Sequence, residues 1–185
     1  MANLNVLIRE QVGEETQQVF DALKSKVGMV PNLYAATGNS HAALTAMLGL
    51  GETLGKGSFS GKEIEAIALA VGQANDCGYC LSAHTAIAKM NGFSEEETIS
   101  LRNADIQDEK LLALTQLARE ITLTKGKPAQ SIIDAFFAAG YEQATLAELI
   151  GFVALNTFTN YVNHIAATPI DFPLAQGVTE EPVLA

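Results

Sequence analysis

Residues 60–92, SGKEIEAIALAVGQANDCGYCLSAHTAIAKMNG, decide how this chain folds. Ser60 followed three residues later by Glu63 is a capping box: the hydroxyl takes a free amide of the first turn and the carboxylate reaches back to the cap. A helix therefore starts here and runs to about Ala74. Asn75 and Asp76 are helix-start residues, so Cys77 opens a second helix that reaches about Asn91 and stops at Gly92. Neither here nor elsewhere is there a run of period-two alternation or β-branched enrichment that a sheet would need, and the chain reads as all-α.

The same punctuation extends outward. A helix over about 14–27 is stopped by Gly28, and Pro31 suits the first turn of a short helix through Ala36. Ser40 caps a helix over 41–54, and GKGSFSG at 55–61 breaks the pattern. Ser94 with Glu97 repeats the capping box for a short helix to about Asn103, followed by one over 108–123. After a break at 125–128, Pro128 starts a helix to Ala139 that Gly140 ends. The apolar stretch 143–167 is expected to be a central buried helix. From Thr168 onward, Pro169, Pro173 and Pro182 prevent continuous helix. The whole, 1–185, reads as one helical domain whose redox motif occupies about 60–92. An offset of 80 places His84 on His164, Leu69 on Leu149 and Ala70 on Ile150, while Cys77 and Cys80 fall on Thr157 and Asn160. That echo fits an internal duplication whose second copy lost its chemistry; so few matches in an Ala/Leu-rich chain also arise by chance.

Composition bounds the function. With 185 residues, 48% hydrophobic and 17% charged, the chain can bury a real core. A formal net charge of -10 argues against nucleic acid or an anionic membrane as partner, because both need a basic footprint. The acids are scattered, which suits solubility. MANLNVLIRE at the start has no basic segment followed by an apolar one, so no secretory signal is expected. The apolar segments at 64–71 and 150–155 fall far short of the ~20 residues of a spanning helix. A cytoplasmic location is expected, and in that reducing compartment a close cysteine pair is more often catalytic or metal-binding than structural.

Cys77 and Cys80 are the only cysteines, and on a helix their spacing puts both sulfurs on one face, with His84 one turn beyond Cys80 and Glu65 on the preceding helix. Three readings compete. In the redox reading, one thiolate attacks an electrophilic oxygen or a disulfide, the second cysteine condenses to a disulfide, His84 relays the proton and Glu65 orients the imidazole. In the metal reading, both sulfurs, His84 and Glu65 surround zinc. In the third, the cysteines are small buried hydrophobes and His84 an ordinary histidine. Two arguments disagree on which sulfur attacks. Cys77 lies nearer the positive helix end, whereas Cys80 is spaced i, i+4 from His84. A specific base outweighs a partial charge that Cys80 also feels, which favours Cys80 as attacker and Cys77 as resolver. Tyr79 either lends its hydroxyl to the relay and substrate or simply packs. His164 faces either the core or a subunit contact, and reads as a hydrogen-bonded core histidine sooner than as a ligand.

The run from Glu65 through Asp76-Cys77-Gly78-Tyr79-Cys80 to Ala83-His84 resembles the core motif of the AhpD-like alkylhydroperoxidases of the carboxymuconolactone decarboxylase superfamily. Val30-Pro31-Asn32, Asn163-His164-Ile165 and Ile170-Asp171-Phe172-Pro173 look like its peroxidase-related branch. The resemblance implies an all-helical fold, a homo-oligomer (trimer or hexamer), and a thiol peroxidase in which Cys80 becomes sulfenic acid, Cys77 is its partner, and Glu65 and His84 relay protons. It differs at Tyr79, where the best-known members carry histidine. The superfamily's decarboxylases usually lack the cysteine pair. The expectation is a hydroperoxide reductase recycled by an external protein or small dithiol, without flavin, haem or metal. The alternatives are a carboxymuconolactone-type decarboxylase using a histidine as acid or base, and a non-catalytic redox-sensing oligomer.

Overall fold

Capping chemistry sets where the helices begin. In the computed structural model, which describes residues 3–178, the side chains of Ser40, Ser60, Ser94 and Asp108 accept from the backbone N–H groups of Ala43, Glu63, Glu97 and Leu111. The capping boxes at Ser60/Glu63 and Ser94/Glu97 are closed in both directions. Among the described residues the chain forms nine α-helices and no strand. They are α1 (Glu14–Val27), α2 (Asn32–Thr37), α3 (His41–Leu54), α4 (Gly61–Ala74), α5 (Gly78–Met90), α6 (Glu95–Asn103), α7 (Glu109–Leu123), α8 (Gln130–Ala138) and α9 (Gln143–Ala166). Gly28 ends α1 in the left-handed region at φ 88°, a conformation glycine adopts without steric penalty.

Three details differ from the sequence reading. Cys77 is the cap of α5 rather than its first helical residue, with its sulfur accepting from the Cys80 N–H. Helix α8 begins at Gln130, after Ala129 as cap, so Pro128 precedes the helix instead of opening it. The central buried helix is α4, which packs against α5, α6, α7 and α9 and buries every residue from Glu65 to Gly72. Helix α9 is two-faced: Leu149, Phe152, Val153, Asn156, Asn160 and Asn163 are buried, while Ile150, Phe158, Tyr161 and Ile165 are exposed. Its apolar residues lie on both faces, so their number alone overstates how deeply the helix is buried.

The main core joins Ile67 and Val71 of α4 to Leu114 and Leu117 of α7, Phe136 of α8, and Leu149 and Phe152 of α9. A second cluster holds the site, where Cys77, Tyr79, Cys80 and Ala83 meet Leu33 and Ala36 of α2 and Val162 and Ala166 of α9. The non-helical segment after α9 folds back across α5. Tyr79 Oη donates to Asp171 Oδ1 at 2.7 Å, the Asn32 N–H donates to Asp171 Oδ2 at 2.8 Å, and the Ala175 N–H donates to Ser82 Oγ at 3.2 Å. Gly78 permits this approach, since a Cβ there would come within 3.1 Å of Val178 Cγ1. Pro182 lies outside the described residues.

Ile67, 0% exposed at the contact of α4 with the main core, tests the centrality of α4. Ile67→Ala should cost about 2–5 kcal/mol in urea-monitored unfolding, the range for a buried aliphatic truncation.

Candidate active site

The turn between α4 and α5 brings the two cysteines to their place. Asp76 takes the left-handed conformation at φ 55°, and the Cys77 N–H returns to the Gly72 carbonyl at 2.9 Å, so the chain reverses within a few residues and α5 starts beside α4. Both cysteines are free thiols, 1% (Cys77) and 3% (Cys80) exposed. The Cys80 N–H donates to Cys77 Sγ at 3.3 Å, so the first sulfur occupies the N-terminal cap.

Cys80 Sγ faces α9. It accepts from Asn160 Nδ2 at 2.9 Å and from Asn163 Nδ2 at 3.2 Å. Asn163 Nδ2 also lies 3.9 Å from Cys77 Sγ. Asn160 is itself oriented, because its Oδ1 accepts from Asn75 Nδ2 at 2.8 Å and the amide hydrogens are left to point at the sulfur. Burial raises the Cys80 pKa, but hydrogen bonds from Cys77, Asn163 and Asn160 outweigh it and the net shift is downward. Cys77 moves the opposite way: its thiol donates to Cys80, is desolvated, and is held protonated by the neighbouring thiolate. When the pair loses a proton, Cys80 is the sulfur that these contacts favour as thiolate.

Glu65 and His84 join α4 to α5 through a 2.8 Å contact between Glu65 Oε2 and His84 Nδ1. Burial disfavours the imidazolium, yet the charge and hydrogen bond of Glu65 raise the His84 pKa above its ordinary value. The structure thus brings all four sequence-derived residues into one region. It does not make the direct contact expected between Cys80 and His84: the ring is bonded to Glu65, and the sulfur is held by asparagines. Tyr79 is placed elsewhere than in a relay. Its hydroxyl donates to Asp171 and accepts from the Leu33 N–H at 3.2 Å, and its ring packs edge-on to Phe172. Burial, together with Asp171, pushes its pKa upward, so it stays a neutral tether. His164 is exposed rather than in the core, with Nε2 at 3.3 Å from the Asp76 carbonyl.

Asn160 and Asn163 are site residues that the sequence reading misses. Their signal is the spacing of Asn156, Asn160 and Asn163, which puts three amides on one stripe of a helix otherwise rich in apolar residues. Among the described residues no group of three or more His, Cys, Asp or Glu side chains is placed to hold a metal ion. A cavity of about 330 Å³ opens beside Cys77, with Asn163, Leu81 and Ile170 also in its wall; Cys80 and His84 are not part of that wall. No helix among the described residues is long and apolar enough to cross a membrane.

Comparison with known proteins agrees with this architecture. Residues 41–120 match the carboxymuconolactone decarboxylase family model. The fold matches a peroxidase-related protein of uncharacterised function from Silicibacter sp. TM1040, with TM-score 0.78, 23% identity, and coverage of 90% of this chain and 89% of that one. It also matches an AhpD-core peroxidase-related protein from Ralstonia eutropha JMP134, with TM-score 0.81, 18% identity and 92% coverage of each chain. The debrominase Bmp8, as a variant in complex with 2,3,4-tribromopyrrole, gives TM-score 0.78 at 18% identity with 92% coverage of each chain. No curated protein matches in sequence. Residues 41–120, from α3 into α7, carry the match to that family and include the cysteine pair, and the fold is the one seen in the AhpD-core structure.

Replacing either amide tests the electrostatics of the sulfur. In Asn160→Leu and in Asn163→Ala the thiolate ultraviolet absorbance should appear at higher pH than in the unaltered chain; an unchanged titration would show that the amides do not hold the charge. For the acid–base pair, Glu65→Gln should lower the His84 pKa, followed by NMR of the imidazole protons. Because the folded pKa of His84 lies above its unfolded value, the stability from the charged pair is full below about pH 6.5. It is lost as pH rises through the folded pKa, so the stability deficit of Glu65→Gln should shrink over that interval.

Proposed function

We propose that this protein is a thiol-dependent peroxidase that reduces hydroperoxides through a Cys77–Cys80 disulfide. The observation that carries the reading is the pair of amide donors from α9 on Cys80 Sγ, beside a second thiol that caps the same helix. A thiolate is the nucleophilic form of cysteine, and donors that stabilise it raise its population near neutrality.

Each step can be written with its electrons and protons. The Cys80 thiolate attacks the terminal oxygen of the hydroperoxide; the S–O bond forms, the O–O bond breaks, and the departing alkoxide takes a proton from the His84 imidazolium. Neutral His84 then accepts the Cys77 proton. The Cys77 thiolate attacks the sulfenic sulfur of Cys80, closing the disulfide and expelling hydroxide, which regains that proton as water. Two electrons have passed from two thiols to one hydroperoxide. An external dithiol restores the pair by attacking Cys77, the sulfur in the cavity wall, and expelling Cys80, the better leaving group because its thiol is the more acidic. The two hydrogens of the donor return to Cys77 and His84.

The reading includes a homo-oligomer, a trimer or hexamer, supported by the exposed stripe of Ile150, Phe158, Tyr161 and Ile165 on α9, which a second copy of the chain would cover. Turnover of cumene hydroperoxide with a dithiol donor should vanish in Cys80→Ser. It should fall by about 100-fold or more in His84→Ala, the scale of a lost acid–base group. Cys77→Ser should stop after one equivalent, with a sulfenic acid trappable by dimedone. Unchanged rates in Cys80→Ser and His84→Ala would defeat the mechanism. Lactone decarboxylation and debromination of 2,3,4-tribromopyrrole serve as control reactions. Either one proceeding in the double cysteine variant would assign the chain to a different chemistry.

A further inference from the structure

The cavity beside Cys77 contains individual polar atoms that neither the fold nor the redox cycle uses. Arg102 of α6 is in its wall and only 9% exposed. Its Nε donates to Gln73 Oε1 at 2.9 Å and its Nη1 to the Gln176 carbonyl at 2.8 Å. Both acceptors are neutral. Among the described residues no carboxylate pairs with this guanidinium and Nη2 has no hydrogen-bond partner; Glu95, whose charge acts on it, is itself bonded to Lys89 at 2.8 Å. A buried cation without a counter-charge is costly, and arginine does not relieve the cost by losing its proton.

Two more atoms in the same wall are incomplete. Asn163 Oδ1 and Thr168 Oγ1 are buried and have no hydrogen-bond partner among the described residues. Native proteins satisfy nearly all such groups, so two of them in one wall, beside a guanidinium with a spare N–H, mark a place where something binds. Leu81, Ile170 and Val178 supply an apolar wall between them. The volume of about 330 Å³ lies at the small end of ligand sites, which limits the guest to a compact molecule.

We propose that this cavity binds a small organic carboxylate, its head on Arg102, its apolar body against Leu81, Ile170 and Val178, and its polar reactive end at Asn163 beside Cys77. Carboxylate recognition by a guanidinium that keeps free N–H groups is directional and strengthened by charge. The role assigned to the guest rests on the peroxidase reading; the binding does not. The carboxylate belongs either to the hydroperoxide or to the dithiol that reduces the enzyme.

Binding can be read without turnover, on the full-length reduced chain. Benzoate at millimolar concentration should slow alkylation of the cysteine pair by iodoacetamide, located by peptide mass, and neutral benzamide should not. The ratio of iodoacetate to iodoacetamide rates should fall about tenfold in Arg102→Gln, the effect of losing a charge-assisted hydrogen bond, and be largely kept in Arg102→Lys. Equal protection by benzoate and benzamide, or an unchanged ratio in Arg102→Gln, overturns the proposal. The unaltered chain alone decides the first comparison, so a poorly folding variant does not remove the test.

Two further arms identify the guest. Cumene hydroperoxide and its para-carboxylate are compared in the oxidative half-reaction, and dihydrolipoate and dihydrolipoamide in the reductive one. A carboxylate preference in either arm supports the proposal and names the guest; preference in neither overturns it. Benzoate protection without turnover of any hydroperoxide would leave the binding site standing and remove the peroxidase reading.

Discussion

The site depends on one chain of hydrogen bonds, from Asn75 to Asn160 to Cys80 Sγ. An amide presents both a donor and an acceptor, and which end faces the sulfur decides whether the sulfur is favoured as thiol or thiolate. Asn75 Nδ2 occupies the Asn160 oxygen at 2.8 Å, so the hydrogens face Cys80. Because Asn75 caps the end of α4 and Asn160 lies on α9, this polarity exists only when α4, α5 and α9 are packed together. The amide hydrogens are therefore aimed at Cys80 only in the folded chain. A buried polar network of this kind is costly when incomplete and rigid when satisfied.

The structure also separates two roles that the spacing of Cys80 and His84 seemed to merge. The i, i+4 relation is correct as helix geometry, but the imidazole commits its Nδ1 to Glu65, while the asparagines of α9 make the contacts to Cys80. This division suits a two-thiol cycle. The neutral donors favour charge on the sulfur, and the carboxylate favours a proton on the imidazole. Fold likeness at 18–23% identity to proteins that include both peroxidase-related chains and a debrominase shows a shared scaffold, and the chemistry must be argued from the side chains themselves.

Helix starts were legible because capping is local: Ser40, Ser60, Ser94 and Asp108 each announce a first turn with residues no more than three positions away. Glu65, Cys77, Cys80 and His84 were legible because their chemistry is unusual and their spacing short. Burial was harder to read. Helices α4 and α9 are both rich in apolar residues, and only the packing of α5, α6 and α7 around α4 makes it the central one. The partners of Cys80 lie 80 and 83 positions away, that of Tyr79 lies 92 away, and Arg102 is anchored by Gln176 across 74 residues. Nothing in local sequence encodes such meetings. The stripe of asparagines on α9 was the one visible trace, and its meaning depended on knowing which face turned inward.

His84 has a quarter of its side chain in solvent yet is absent from the wall of the cavity that Cys77 shares with Arg102. The imidazole thus meets solvent outside the cavity that Cys77 lines. A guest that fills the cavity completely still leaves the imidazole wetted from outside, so the acid–base group can re-equilibrate with bulk water while the organic entrance is shut.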